Sequence, residues 1–281
     1  MISIIICSRT ANINDALMEN IKATVGCVYE LVIIDNSKNT YSIFEAYNLG
    51  ISKSKFDYWC FIHDDITFKT NDWGNAIHTI FKSNNAIGLI GVAGAKYKSK
   101  MPSAWWSCDD KDRITYLIQH FKDKPKEFWN VGFTKENTTE DVVAIDGVFM
   151  AAKKDERIRF NTTLKGFHNY DLNLALEYKK LGYDIVVTNK LLIEHFSLGT
   201  LNASWYTSTA KLHELYKNTL PLAIKDELQF NKSIEFQNGA KYLKSIAKQG
   251  VDKYVLSLWL KLFWLKPLAK FHFKFLKQLV F

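Results

Sequence analysis

The chain lacks the paired cysteines, the glycine fingerprint and the long apolar run that announce a disulfide-stapled, dinucleotide-binding or membrane-spanning protein. Cys7, Cys27, Cys60 and Cys108 have neither the close spacing of a structural zinc site nor the density of a disulfide framework. Three of them sit in apolar or mixed segments, which favours buried thiols and a reducing compartment. Gly88, Gly91 and Gly94 are wrongly spaced for a dinucleotide-binding turn, so a Rossmann dehydrogenase loses ground. No apolar run approaches the length of a spanning helix, because lysine recurs between the apolar residues of the C-terminal tail. The opening Met1-Ile2-Ser3-Ile4-Ile5-Ile6 has no positive region ahead of it and is shorter than a secretion signal; it reads as a first strand.

The composition is that of a folded chain. Apolar residues make up 47% and charged residues 23%, which excludes disorder as a description of the whole, and 281 residues suffice for one large domain or for one domain plus an appendage. The net charge of +8 (37 basic against 29 acidic residues) favours an anionic partner: a nucleotide, a nucleic acid or an anionic membrane. Without a recognition helix or an aromatic-basic repeat, specific nucleic-acid binding is set aside. Aromatic residues reach 14%; such rings serve a core, a carbohydrate or nucleotide site, or a membrane surface, and composition leaves all three open.

Apolar runs end repeatedly in polar groups. Strands are expected over residues 2–8, over 29–34 ending at Asp35-Asn36-Ser37, and over 58–62 ending at His63-Asp64-Asp65, with a helix at 15–24 between the first two. A helix over 71–82 and a strand at 87–94 follow. Residues 96–140 are polar and aromatic, with Trp105, Trp106, Trp129 and Phe133, and read either as an acceptor-facing loop region or as a surface insertion anchored by buried tryptophans. Structure returns with 142–151, a helix at 171–181 stopped by Gly182, a strand at 183–188, and a run approaching Glu194-His195. Such alternation describes an α/β sheet with a ligand crevice beyond its strand ends, the acidic ends of the second and third strands facing one side.

Five blocks carry the functional signal in order: Ser3-Ile4-Ile5-Ile6-Cys7-Ser8-Arg9, Leu31-Val32-Ile33-Ile34-Asp35-Asn36-Ser37, Phe61-Ile62-His63-Asp64-Asp65, Ile145-Asp146-Gly147-Val148-Phe149-Met150 and Gly166-Phe167-His168-Asn169-Tyr170-Asp171-Leu172. With Glu194-His195 they resemble the family 2 glycosyltransferases of GT-A fold, especially the bacterial group with a histidine-containing metal motif, over roughly the first 200 residues. The resemblance implies an α/β fold: a GT-A-like catalytic domain, residues 1–204, with a mixed, mainly parallel central sheet, followed by a helical, basic and aromatic extension, residues 205–281. It also implies a nucleotide-sugar donor, Mg²⁺ or Mn²⁺, a saccharide or lipid-linked saccharide acceptor, and inversion at the anomeric carbon.

The resemblance carries over residue by residue. Ser8 and Arg9 stand where base, ribose or phosphate contacts occur, and Asp35 where an acidic group contacts the base; the alternative has Asp35 capping a turn and Arg9 pairing at the surface. Aligning the family's Asp-x-Asp on Asp65 makes Asp65 the metal ligand and puts His63 in place of the first Asp, with Asp64 between them. His63 then contacts the nucleotide or holds a neighbouring carboxylate, and His195 returns to the same ion. Asp171 is the candidate base and His168 its alternative or orienting neighbour, although Asp171 equally suits a helix cap. Asn169 occupies a position that is often acidic, and neutral Asn is no base. Asp146 is expected at the donor sugar or acceptor.

From Lys266 the lysines at 270, 274 and 277 lie close to one helical face among Phe271, Phe273, Phe275 and Phe281, with Trp259, Phe263 and Trp264 just upstream. This amphipathic pattern suits peripheral contact with an anionic membrane from the cytoplasmic side, or packing against the catalytic domain or another subunit. A metal-dependent nucleotidyltransferase and a noncatalytic carbohydrate-binding or membrane-associated scaffold stand as alternative functions.

Overall fold

The computed structural model describes residues 1–134, 136–224 and 230–280, with side chains as far as residue 277; Phe281 of the expected tail and Lys135 of the 96–140 region lie outside the described residues. The apolar run Ile2–Ser8 forms β1, buried along nearly its whole length, as a strand covered on both faces must be. α1 (Asp15–Thr24) starts where Asn14 accepts a hydrogen bond from the Ala16 N–H, and leads to β2 (Tyr29–Asp35). α2 (Ile43–Lys53) starts at a reciprocal capping box between Ser42 and Glu45, and leads to β3 (Tyr58–Ile62). β4 (Ile66–Phe68), α3 (Trp73–Ser83) and β5 (Ile87–Gly91) follow.

The next segments are short strands: β6 (Ala93–Ala95), β7 (Tyr97–Lys98), β8 (Arg113–Gln119), β9 (Glu127–Val131), β10 (Thr139–Val142), β11 (Ala144–Ile145) and β12 (Phe149–Lys153). Residues 96–140, expected to be loop or insertion, therefore hold a β8–β9 hairpin. It escaped notice because β9 is largely exposed and shows no alternation of apolar and polar positions. The run 142–151 is broken at Asp146, which separates β11 from β12. The rest of the chain comprises α4 (Tyr170–Lys180), β13 (Asp184–Thr188), β14 (Ile193–His195), α5 (Ala203–Leu215), β15 (Leu222–Ala223), α6 (Lys232–Ile246), α7 (Lys253–Leu265) and α8 (Lys270–Val280).

The main sheet has the order β10-β13-β5-β12-β3-β1-β2. The pairs β1–β2, β1–β3 and β5–β13 are parallel, whereas β3–β12, β5–β12 and β10–β13 are antiparallel. The sheet is mixed, as expected, but not mainly parallel, because β12 runs against both of its neighbours. The parallel trio puts three strand ends at one edge, with Ser8 level with Asp35 and Ile6 level with Ile62. A second sheet, β11-β6-β8-β14-β4, supplies the other wall. There His195 pairs antiparallel with Ile66 and parallel with Gln119, and this register spans the chain separation between His195 and Asp65.

The C-terminal helices have their own apolar cluster, in which Trp205 of α5, Leu243 of α6, Leu258 and Leu262 of α7 and Phe275 of α8 meet around Ala104. α5 belongs to both cores, since its Leu212 is buried in the main one. α6 also makes a buried polar contact with β7 and the turn after it. Glu235 of α6 accepts hydrogen bonds from Tyr97 Oη (2.7 Å) and from the N–H groups of Lys100 and Met101 (2.8 Å each). Beside it the buried Lys98 ammonium meets Ser103 Oγ (2.6 Å) and His213 Nε2 (3.1 Å), and burial pushes its pKa down to about 7. Glu235→Ala strands the buried Tyr97 hydroxyl and frees two part-buried backbone N–H groups, and should cost about 2 kcal/mol of stability, read as a lowered thermal midpoint.

Candidate active site

The turn after β3 brings three ligand-type side chains to one point. His63 Nδ1 lies 3.6 Å and His195 Nε2 3.7 Å from Asp65 Oδ1, and the two ring nitrogens are 3.4 Å apart. Ligand atoms sharing one divalent ion at about 2.0–2.2 Å stand roughly 3.0–3.5 Å from one another, so the triangle is close to the right size. Asp65 Oδ1 is buried and has no hydrogen-bond partner, an arrangement that disfavours the site as it stands and suits a cation. The histidine–aspartate cluster can therefore coordinate a divalent metal ion.

The surrounding bonds prepare the ligands. Gln119 uses its side-chain N–H groups on the carbonyls of His120 (2.8 Å) and Ser197 (2.9 Å), which leaves its Oε1 to accept from His195 Nδ1 (3.0 Å). His195 accordingly carries its proton on Nδ1 and turns a lone pair on Nε2 toward Asp65. Burial, reinforced by the His63 charge, holds the His195 pKa below its ordinary value, which favours the neutral ligand form. Burial alone pushes the Asp65 pKa up, but His63, Ser197 and His195 together hold it well below the usual carboxylate range. His63 Nε2 meets Tyr170 Oη at 2.5 Å. Gly147 makes that approach feasible, since a Cβ there would stand 2.3 Å from the same oxygen. Gln119→Ala should weaken Mn²⁺ binding about 10–100-fold, measured by calorimetric titration, because the His195 ring loses its orienting partner.

Two clefts meet at this cluster. The smaller, about 310 Å³, is lined by Ser8, Arg9, Asn36, Asn39, Tyr47 and the His63-Asp64-Asp65 turn. Arg9 is exposed; its Nη2 lies 2.6 Å from Asp64 Oδ1 and 3.5 Å from Asp65 Oδ2. Ser8 lies on the cleft wall but is buried, its hydroxyl donating to the Thr10 carbonyl. Asp35 stands at the same strand edge, fully exposed, with its carboxylate accepting from the Ser37 N–H at 2.9 Å; that bond is the main reason its pKa is lowered.

The larger cleft, about 750 Å³, is lined by Trp105, Trp106, Trp129, Phe167 and Trp205 together with Asp146, His168, Asp171, His63 and His195. Asp146 orients Trp105 by accepting from its indole N–H at 2.8 Å, and its other oxygen accepts from the Val148 N–H. Asp171 is half-buried in the first turn of α4 and accepts from the Leu172 N–H at 2.7 Å. Burial, then the Asp146 carboxylate, push its pKa up to about 7. His168 Nε2 lies 3.0 Å from Ser204 Oγ, and burial lowers its pKa. Asn169 is buried at positive φ and donates to Ser208 and Thr209 of α5, so this residue docks a helix.

The structure thus brings His63, Asp65 and His195 together where the clefts meet, with Asp146, His168 and Asp171 in the larger cleft and Arg9 and Asp64 in the smaller, and leaves Asp35 at the strand edge. Gln119, Tyr170 and Trp105 carry contacts that the sequence reading did not assign. Gln119 offered a signal of the familiar kind, since it ends the run Ile114-Thr115-Tyr116-Leu117-Ile118.

Comparison with known proteins agrees with this architecture. Among solved structures, the chain is similar to GalNAc-T7 crystallised with UDP, GalNAc and Mn²⁺, at 10% identity and TM-score 0.51, over 88% of this chain and 56% of that one. It also matches the crystal structure of A197 from STIV at 12% identity and TM-score 0.41, over 82% of this chain and 97% of that one. No curated protein matches. The first of these likenesses is one of fold: an α/β domain resembling GT-A, with a mixed sheet and C-terminal helices. A family model described as "Glycosyltransferase like family" matches residues 3–219, more than half of the sequence, and the chain belongs to that family.

Proposed function

We propose that the protein transfers a sugar from a nucleotide-sugar donor to a hydroxyl of a saccharide or lipid-linked saccharide acceptor, inverting the anomeric carbon, with Mg²⁺ or Mn²⁺. The observation that carries this reading is the His63, Asp65 and His195 triangle, with its unpartnered Asp65 oxygen, at the junction of two clefts. His63, Asp65 and His195 would hold the ion, His63 through Nδ1 with its Nε2–H donated to Tyr170. Bound there, the ion supplies charge for the diphosphate as it leaves.

The smaller cleft suits the nucleotide. Arg9 is positioned to exchange its Asp64 contact for phosphate oxygens, Asn36 and Asn39 line the wall, and Asp35 waits at the rim for the base. Ser8 shapes the floor. The larger cleft suits the sugars, whose apolar faces stack on indole rings such as Trp105, held in place by Asp146. Asp171 takes the proton of the attacking hydroxyl, a role favoured by a carboxyl poised near neutrality. His168, hydrogen-bonded to Ser204, orients the same turn.

The histidine-containing metal motif supports membership of the bacterial subgroup of family 2, and the basic, aromatic C-terminal tail supports synthesis of surface polysaccharide or lipopolysaccharide at the cytoplasmic side. A division into residues 1–204 and 205–281 is proposed on the two apolar clusters, with α5 spanning the seam. Thermal denaturation with a panel of nucleotide sugars and Mn²⁺ tests the donor assignment. The cognate donor at a hundred times its Kd should stabilise the fold by about 2.7 kcal/mol, and Arg9→Ala should weaken its binding. A flat response across a broad panel would contradict the reading.

A further inference from the structure

We propose that the outward faces of α7 and α8 dock on the surface of an anionic lipid bilayer. On α7, Leu256, Leu260 and Trp264 recur every fourth residue, opposite Val255, Leu258 and Leu262, which pack inward on the second cluster. Leu268 in the turn is 99% exposed, Trp264 79% and Phe273 of α8 84%, in helices whose other faces are already buried. Three large apolar side chains so fully offered to solvent exceed the scattered exposure of an ordinary surface.

The charge around them selects the occupant. Lys253, Lys261, Lys266, Lys270, Lys274 and Lys277 accompany this surface, and no Asp or Glu lies anywhere from residue 253 onward. On α8, Lys270, Lys274 and Lys277 flank Phe273 on the side away from the buried His272 and Phe275. A second copy of the chain would oppose lysines to lysines across the contact, whereas a bilayer with anionic headgroups takes the lysines at headgroup depth and the rings just below. Tryptophan favours that same boundary. Among the described residues no helix is long and apolar enough to cross a membrane, so the contact is with one surface. The docking face is independent of the chemistry in the cleft.

The test uses the full chain and sedimented vesicles of phosphatidylcholine alone or mixed with phosphatidylglycerol. The chain should co-sediment with the anionic vesicles and lose most of that binding in high salt. Lys270→Gln/Lys274→Gln/Lys277→Gln should weaken binding by roughly 100-fold, at about fivefold per lysine, and Trp264→Ser/Phe273→Ser by at least about tenfold. All five side chains are exposed, so the thermal midpoint should stay unchanged. Should either variant fold poorly, the wild type still decides: brominated lipid should quench a component of its tryptophan emission that is missing from Trp264→Phe. Equal binding to neutral and anionic vesicles, wild-type binding by both variants, or a solution dimer broken by the Trp264/Phe273 variant without vesicle binding would each overturn the proposal.

Discussion

Asp65→Ala should lower metal-dependent release of nucleoside diphosphate about a thousandfold, a loss of roughly 4 kcal/mol of transition-state stabilisation. Asp65 supplies the one carboxylate of the triangle, and its buried Oδ1 has no partner among the described residues. Removing it leaves two imidazoles, of which His195 is fixed by Gln119 and His63 meets Tyr170. A bound ion would then lack its anionic ligand while the two rings stay in place, so Mn²⁺ affinity and turnover should fall together. Asp64→Ala is the informative control. Asp64 binds Arg9 at 2.6 Å and is not part of the triangle, so its loss should cost about tenfold or less and leave Mn²⁺ affinity close to wild type.

Asp171→Asn should change activity and stability in opposite directions. As the proposed base, Asp171 would act only when ionised, so wild-type turnover should rise with pH through about 7, the value to which burial and Asp146 push the carboxyl. The amide variant should be about 10²–10⁴-fold slower and lack that rise. The folded-state pKa lies above the unfolded value of about 3.9. Stability from the neutral carboxyl is therefore fully present below pH 4 and lost as pH rises to 7. Asn keeps an oxygen for the Leu172 N–H and never ionises, so the variant should match wild type near pH 4. Above pH 7 it should exceed wild type, read as a thermal midpoint several degrees higher. His168→Ala should lack this stability signature.

The ends of β1, β2 and β3 were legible because each is an apolar run that stops at polar groups. α4 and its neighbouring turn were legible for the same reason of periodicity. What sequence could not supply was register between distant segments: that β14 lies between β8 and β4, so that Gln119 and Asp65 flank His195. The antiparallel insertion of β12 between β3 and β5 was hidden likewise, since a strand buried on both faces looks the same in either direction. Asn169 was read as no base at an often acidic position, and its positive φ and bonds to α5 give it a packing role that its type alone did not show. Asp35 kept its predicted place at the strand edge, while its bond to Ser37 is the turn contact weighed against a ligand role.

The most direct measurement is product identity. Purified protein given nucleotide sugars, Mn²⁺ and a mixed saccharide and lipid-linked saccharide acceptor pool should release nucleoside diphosphate, stop when the ion is chelated, and fall about a thousandfold in Asp65→Ala. Undiminished turnover in that variant, or pyrophosphate released from a nucleoside triphosphate in place of diphosphate from a nucleotide sugar, would contradict the account.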